Sequence, residues 1–266
     1  MSEPAQNSSS VRVDINKGIA TLTLDRPGQR NPLSAECLEH ANAALDALEA
    51  DKALRAVVLT GAGTVFCAGA QLGALLHPDG VDGELQLSML LGFNRLAQRL
   101  REFDLPVIAA VNGPAVGGGA ALALACDFAL AAPEASYHFA FGRVGASGAD
   151  LGCAWLLPKI VGDLRARHWL LTGATVGAEE GKAAGLFIEV CPRDKLVARA
   201  QEVARQVAEA APRRAAAATK FTVSRGWEAD LNTCLGYEAY IQSYLFTTPE
   251  HKSRLAAFMQ SRKPKT

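Results

Sequence analysis

The sequence predicts an α/β fold built mainly from parallel strands. Short apolar segments alternate with longer amphipathic segments through the first half of the 266 residues, and glycine-containing loops join several of them. A strand followed by a helix and another strand favours parallel pairing with right-handed crossovers. From Arg165 onward the pattern is mostly helical. We therefore expect one α/β domain with a helical C-terminal extension.

Turn and capping residues predict the first strands and the first helix. Residues 11–24 alternate apolar and polar side chains around Asn16-Lys17-Gly18, a sequence typical of a tight hairpin turn. Ser34 is placed to cap a helix, because its hydroxyl can accept a hydrogen bond from a first-turn N–H. The apolar residues of this helix fall on one face and are Leu38, Ala41, Leu45 and Leu48. Residues 56–60 predict a short apolar strand.

Strands and helices alternate again up to residue 132. Residues 73–83 are rich in Gly, Pro and Asp, which predicts a mobile loop, and a helix is expected at 84–102. Its predicted core-facing residues are Leu90, Phe93, Leu96, Ala97 and Leu100. A strand at 106–111 leads through a glycine-rich loop to a helix at 120–125, and another strand follows at 128–132.

The last third of the chain is predicted to be helical. Residues 194–210 form one amphipathic pattern, and three further helices are expected after Pro212. No low-complexity linker divides the chain. We place a core at residues 11–195 and a C-terminal helical region at residues 196–266.

Composition excludes several classes of function. Lys+Arg and Asp+Glu both number 27, so the formal net charge is zero. A chain without excess positive charge is not expected to bind nucleic acid or an anionic membrane surface. The six cysteines form no CxxC pair, and no metal site is predicted. Residues 1–10 lack the basic start and apolar run of a secretory signal, and no segment is apolar for long enough to span a membrane. The expected location is the cytoplasm.

Two glycine-containing loops follow apolar strands, at residues 66–72 and 117–119. Loops of this kind expose backbone N–H groups at the positive end of a helix, and two of them can direct one N–H each at a single oxygen. One donor of such an oxyanion hole contributes about 3–4 kcal/mol to catalysis. Tight packing is the alternative explanation for three successive glycines. The spacing does not fit the dinucleotide-binding fingerprint.

Several segments, taken in order, resemble the crotonase (enoyl-CoA hydratase/isomerase) superfamily. They are LDRP at 24–27, RNPLS at 30–34, FCAGA at 66–70, PVIAAVNG at 106–113, GGG at 117–119, CD at 126–127, LTG at 171–173, AEE at 178–180 and AGL at 184–186. The resemblance extends from about residue 11 to residue 262. It implies a crotonase-like spiral of ββα units at residues 11–195. The C-terminal helical extension, residues 196–266, would then serve in trimerisation.

The same resemblance implies an acyl-CoA thioester substrate, a homotrimer or hexamer, and an isomerase or lyase of fatty acid metabolism. Coenzyme A is then part of the substrate, and no separate cofactor is expected. The N–H groups of Ala70 and Gly118 would polarise the thioester carbonyl and stabilise an enolate.

The resemblance also implies residues that bind coenzyme A. Backbone around Ala68 and Leu72 would contact the adenine, and Arg26 would lie near the phosphates. Gln71 belongs to the same segment and stands where the superfamily usually has an aspartate.

The sequence departs from the superfamily pattern at the two glutamates that hydratases use as acid and base. These positions hold Ala121 and Phe141, neither of which can transfer a proton. Counted back from Pro158, Asp150 falls where dienoyl-CoA isomerases and 4-chlorobenzoyl-CoA dehalogenases place a functional aspartate. The alternative role for Asp150 is to cap a helix at 151–160.

Three functions remain open from the sequence. Asp150 would move a proton and shift a double bond through an enolate, or it would support hydrolysis or dehalogenation. A non-catalytic acyl-CoA-binding scaffold is the third. Arg143 would neutralise an acidic acyl group or form a surface salt bridge, and His138 is expected to be a partly buried histidine whose hydrogen bonds are satisfied.

Overall fold

The computed structural model describes residues 9–71 and 82–262. Most of the predicted loop at 73–83, and the predicted coenzyme A contact at Leu72, therefore lie outside the described residues. The strands are β1 (Val11–Asn16), β2 (Ile19–Leu24), β3 (Ala56–Gly61), β4 (Val107–Val111), β5 (Pro114–Val116), β6 (Phe128–Ala131), β7 (Ser136–His138), β8 (Thr175–Gly177) and β9 (Glu189–Val190).

Helices connect and cover these strands. They are α1 (Ala35–Ala50), α2 (Gly83–Glu102), α3 (Gly118–Ala125), α4 (Cys153–Val161), α5 (Asp163–Thr172), α6 (Ala178–Ala184), α7 (Arg193–Ala210), α8 (Arg213–Gly226), α9 (Leu231–Thr247) and α10 (Pro249–Ser261). Short 3-10 helices lie at Pro27–Gln29 and Ala140–Val144. The three helices predicted after Pro212 are confirmed as α8, α9 and α10.

The large sheet has the strand order β1-β2-β3-β4-β6-β9. Only the β1–β2 hairpin is antiparallel, and the four other pairings are parallel. The hairpin turn has positive φ at both Lys17 (50°) and Gly18 (77°), which suits the right-handed twist of its strands. The predicted α/β class with mainly parallel pairing is confirmed.

A second sheet joins three short strands in the order β5-β7-β8. β5 and β7 are parallel, whereas β7 and β8 are antiparallel. Isolated parallel bridges from Cys67 to Ala115 and from Leu33 to Ala70 continue this arrangement into the first glycine loop. The sequence did not predict this sheet, because strands of three residues are too short for a readable alternation. This sheet places the glycine segments side by side.

Both faces of the large sheet are covered. One face packs against α7, whose buried residues Leu196, Ala200 and Ala204 contact alternate residues of the strands, such as Val58 and Ile108. The other face packs against a larger cluster that includes residues of α1, α2 and α3. Helix α7 runs through the predicted boundary between residues 195 and 196. The division into a core at residues 11–195 and a C-terminal helical region at residues 196–266 remains a prediction.

Side-chain caps set the starts of α1 and α2, whereas the start of α3 and the exposure of Leu90 differ from expectation. Ser34 accepts a hydrogen bond from the Cys37 N–H at 3.1 Å, as predicted. Asp82 caps α2 by accepting from the Glu84 N–H at 2.9 Å. Leu90, predicted to face the core, is 37% exposed and lines a cavity instead. Helix α3 begins at Gly118, two residues earlier than expected, because the glycines form its first turn.

The C-terminal helices carry exposed apolar side chains. Tyr240 is 81% exposed and lies on α9 with the exposed Leu235, Tyr244 and Phe246, and Phe258 is exposed on α10. None of the helices in the described ranges is long and apolar enough to cross a bilayer.

Candidate active site

The first glycine segment is held by backbone hydrogen bonds on two sides. The Phe66 N–H donates to the Pro114 carbonyl at 3.1 Å, and the Leu33 N–H donates to the Gly69 carbonyl at 2.8 Å. Gly69 has φ of +82°, and a Cβ added there would lie 2.5 Å from the Val116 carbonyl oxygen. Only glycine therefore fits at the point where this segment passes β5.

The second glycine segment forms the start of α3. Gly117 has φ of +51°, and its N–H donates to the His138 carbonyl at 2.9 Å. A Cβ on Gly119 would lie 2.5 Å from the Cys67 carbonyl oxygen. The glycines allow α3 to approach the first segment closely, so the tight-packing explanation holds for this residue.

The two segments bring the Ala70 and Gly118 N–H groups near each other. A Cβ added to Gly118 would lie 3.9 Å from the Ala70 nitrogen, and one added to Gly69 would lie 3.5 Å from the Gly118 nitrogen. Within residues 9–71 and 82–262, neither N–H has a hydrogen-bond acceptor. Gly118 is also the first residue of α3, where the helix dipole favours negative charge. Chemically, this pair of donors suits an oxygen that gains negative charge.

Ala70 and Gly118 both line a cavity of about 470 Å³ whose lining is mainly apolar. Its apolar walls include Leu33, Leu90, Phe93, Phe141, Val144 and Leu151. Among the described residues that line it, Asp150 is the one carboxylate and Arg143 the one cation. The structure therefore places Ala70, Gly118 and Asp150 around one cavity, as is needed if the three residues act on the same substrate.

Asp150 does not cap a helix with its side chain. Helix α4 begins at Cys153, and its N-cap residue is Gly152, because Leu151 (φ +49°) and Gly152 (φ +84°) are both in the left-handed region. The Asp150 carboxylate accepts one backbone hydrogen bond, from the Leu151 N–H at 2.8 Å. The capping alternative is wrong, and the half-buried carboxylate retains oxygen lone pairs for a ligand in the cavity.

Neighbouring cysteines offer no second acid or base. Burial raises the pKa of the Cys153 thiol to about 12, and the negative charge of Asp150 acts in the same direction. Burial also raises the pKa of the Cys67 thiol to about 12. Both thiols therefore stay protonated at neutral pH and unreactive.

The two residues at the predicted hydratase-glutamate positions lie in different surroundings. Ala121 is fully buried in α3, and Phe141 lines the cavity. The Phe141 ring lies 3.4 Å from where a Cβ on Gly117 would be. An aromatic ring thus occupies the space beside the second glycine segment.

The predicted coenzyme A residues lie in different surroundings. Ala68 lines the cavity, and its N–H donates to the Arg30 carbonyl at 2.9 Å. Gln71 is exposed at the end of the segment. Arg26 is outside the cavity lining and forms an ion pair with Glu36 at 2.7 Å. The coenzyme A contacts of these residues remain predictions.

Residues 14–266 match the sequence profile of the enoyl-CoA hydratase/isomerase family. The chain belongs to this family. Enoyl-CoA hydratase from Bacillus anthracis has the same fold, with a TM-score of 0.89 at 32% identity, and the match covers 96% of this chain and 98% of the other. The crotonase superfamily and its fold are therefore confirmed, and the family implies an acyl-CoA thioester substrate.

Two curated relatives catalyse reactions other than hydration, by their names. One is 4-chlorobenzoyl coenzyme A dehalogenase-2 from an Arthrobacter species, at 35% identity over 93% of this chain and 90% of the relative. The other is 1,2-epoxyphenylacetyl-CoA isomerase from Escherichia coli, at 34% identity over 94% and 95%. Family membership alone therefore does not specify the reaction.

His138 has a backbone role that sequence reasoning missed. Its ring is half-buried between the Ser136 hydroxyl (2.8 Å) and the Thr175 hydroxyl (3.1 Å), so the prediction of a satisfied histidine is confirmed. The His138 carbonyl accepts a hydrogen bond from the Gly117 N–H, and this bond positions the second glycine segment. This contact follows from the pairing of β5 with β7, which the sequence did not predict.

Replacing Gly69 with alanine should damage both stability and activity. The positive φ and the clash with the Val116 carbonyl are expected to lower the free energy of unfolding by about 1–3 kcal/mol. Denaturant unfolding and thioester turnover would measure the two effects. Gly28→Ala is the matched control, since a Cβ there meets no atom within 4 Å. Equal behaviour of the two variants would contradict the expectation.

Proposed function

We propose that this protein is an acyl-CoA isomerase that shifts a double bond through a thioester enolate. The observation that supports it is the common cavity of the Ala70 and Gly118 N–H groups and the Asp150 carboxylate. This combination supplies a base and an anion-stabilising pair and leaves out the hydratase glutamates.

Asp150 carries the proton in the proposed reaction. Its carboxylate removes a proton from a carbon in conjugation with the thioester, and the C–H electron pair moves towards the carbonyl oxygen. The Ala70 and Gly118 N–H groups stabilise the resulting enolate. Protonated Asp150 then returns the proton to the other end of the conjugated system. The double bond moves, and the base is regenerated.

The cavity favours this chemistry because it is largely apolar. Hydrogen bonds to a developing oxyanion are stronger where water is excluded. Phe141 and Ala121 cannot replace the pair of glutamates that acts as acid and base in hydratases, so hydration of an enoyl thioester by that route is not expected.

A dehalogenation or hydrolysis through Asp150 is the second candidate. Its support is the 35% identity to a 4-chlorobenzoyl-CoA dehalogenase over nearly the whole chain. In dehalogenation, the Asp150 carboxylate would attack the chlorine-bearing carbon, chloride would leave with the C–Cl electron pair, and water would hydrolyse the resulting aspartyl ester to regenerate Asp150. In hydrolysis, Asp150 would take a proton from a water that attacks the thioester carbonyl, and coenzyme A would leave as the thiol. In both reactions the same N–H pair would stabilise negative charge on the thioester oxygen. A non-catalytic acyl-CoA-binding scaffold is the third reading.

Coenzyme A is proposed to enter past the first glycine segment. Ala68 lines the cavity, and Gln71 is exposed at the end of the same segment. Arg26 is proposed to lie near the phosphates of the bound coenzyme A. No cofactor beyond the substrate's own coenzyme A is proposed.

A homotrimer or hexamer in the cytoplasm is also proposed. The exposed apolar residues of α9 and α10, Tyr240 and Phe258 among them, suit burial between subunits. Light scattering on the purified chain would measure the assembly.

The reaction type is tested by offering one panel of thioesters in heavy water. The panel holds saturated, 2-enoyl, 3-enoyl, 3,5-dienoyl and 4-chlorobenzoyl thioesters of coenzyme A. Deuterium uptake with a shifted double bond supports isomerisation. Release of chloride or free coenzyme A supports the second candidate. Binding of these thioesters without any product would support the non-catalytic acyl-CoA-binding scaffold and would reject both enzymatic candidates.

A further inference from the structure

Arg143 is a cation on the wall of an apolar cavity. It lies in the 3-10 helix Ala140–Val144, between Phe141 and Val144, and lines the same cavity as Asp150. Its side chain makes no ion pair or hydrogen bond with the protein, as far as residues 9–71 and 82–262 show. The surface salt bridge that would explain an ordinary exposed arginine is therefore not formed.

The positive charge of Arg143 acts on its surroundings. The pKa of His138 is lowered, first by burial of the imidazole and second by the nearby Arg143 charge. Arg143 is itself exposed, so water screens its charge in part, and a ligand that enters the cavity displaces some of that water. An anionic group that enters the cavity would therefore be attracted to Arg143 and repelled by Asp150.

The position of Arg143 indicates which part of a ligand it would meet. Ala68, Gly69 and Ala70 contribute one part of the cavity wall, next to the proposed entry of coenzyme A. Arg143 comes instead from the segment that carries Phe141 and leads to Asp150. With coenzyme A along the first glycine segment, the acyl group would extend towards this other part of the cavity wall.

We propose that Arg143 binds a carboxylate at the far end of the acyl group, so that the preferred ligands are monothioesters of dicarboxylic acids. A guanidinium pairs with a carboxylate through two parallel N–H donors, which gives direction as well as attraction. The proposal rests on the proposed function for the use of this cavity as the acyl site. The phosphates of coenzyme A are the other anionic groups that Arg143 could bind, and the test must distinguish them from a carboxylate on the acyl group.

Calorimetric binding of two saturated thioesters tests the proposal. One carries a neutral straight-chain acyl group, and the other carries an acyl group of the same length that ends in a carboxylate. Both carry the same coenzyme A phosphates, so the ratio of their dissociation constants isolates the acyl end. We expect wild type to prefer the carboxylate ligand, and Arg143→Leu to reduce that preference about tenfold to a hundredfold.

Two further variants make the result specific. Arg143→Lys keeps the charge without the fork of donors and should retain part of the preference. Arg95→Leu removes an exposed arginine of α2 that does not line the cavity and should leave the preference unchanged.

Two results would overturn the proposal. One is equal affinity of wild type for both ligands. The other is an unchanged preference in Arg143→Leu; if this variant also weakened both ligands equally, Arg143 would contact a phosphate of coenzyme A instead. Saturated ligands need no turnover, so failure of the enolate reaction would be seen separately in the heavy-water panel.

Discussion

Replacing Asp150 with asparagine is expected to lower the rate of double-bond isomerisation and of deuterium exchange by about 10²–10⁴-fold. An amide has nearly the shape of a carboxylate but cannot accept the substrate proton at neutral pH. Its oxygen can still accept the Leu151 N–H, which bonds to Asp150 at 2.8 Å. The backbone turn before α4 should therefore persist, and binding of a saturated thioester should change little.

Mass-spectrometric exchange and ligand calorimetry on the same preparations would separate the two effects. Asp194→Asn is a suitable control, because Asp194 is an exposed carboxylate in the first turn of α7, outside the cavity. If Asp150→Asn exchanged deuterium at the wild-type rate, another group would have to carry the proton. Loss of binding together with exchange would instead show that the carboxylate holds the local structure.

The parts of the fold that were predictable are those governed by short-range rules. Ser34 and the Lys17-Gly18 turn act through neighbouring backbone, so their roles can be read from a few residues. The start of α4 was misplaced because Leu151 adopts φ of +49°, a conformation that leucine rarely takes and that sequence patterns do not indicate. The surrounding fold imposes this conformation.

The candidate site was predictable in its residue types and not in its spatial arrangement. Ala70, Gly118 and Asp150 were identified from motifs, but their convergence depends on the small sheet, whose strands are three residues long. Leu90 was expected to face the core because its helix is amphipathic. It lines the cavity instead, since a helix that borders a cavity exposes apolar residues to it.

A buried ion pair between distant parts of the chain was also beyond sequence reasoning. Lys220 of α8 lies 2.9 Å from the Asp127 carboxylate at the start of β6, with side-chain exposures of 7% and 17%. The Lys220 ammonium also donates to the carbonyls of Leu100 (3.3 Å) and Leu105 (3.1 Å). The pair therefore joins the C-terminal helices to the end of α2 and to the large sheet.

Burial governs the energetics of this pair. It raises the pKa of the Asp127 carboxyl, although Lys220 and the Val107 N–H, which donates at 2.7 Å, both act in the opposite direction. The desolvation of the carboxylate is thus not fully offset by its partners. Removing one partner should lower the free energy of unfolding more than removing both charges does, because a single remaining charge is buried without compensation.

Lys220→Met is accordingly expected to lower the free energy of unfolding by about 3–5 kcal/mol. The double variant Asp127→Asn with Lys220→Met should recover part of this loss, since asparagine is neutral and still accepts from the Val107 N–H. Arg225→Met on the same helix, which removes exposed ion pairs with Glu228 and Glu102, should have a much smaller effect. Denaturant unfolding of all variants would measure these differences. A single variant no less stable than the double one would contradict the expectation and show that the Asp127 carboxyl is hydrated or takes up a proton when Lys220 is absent.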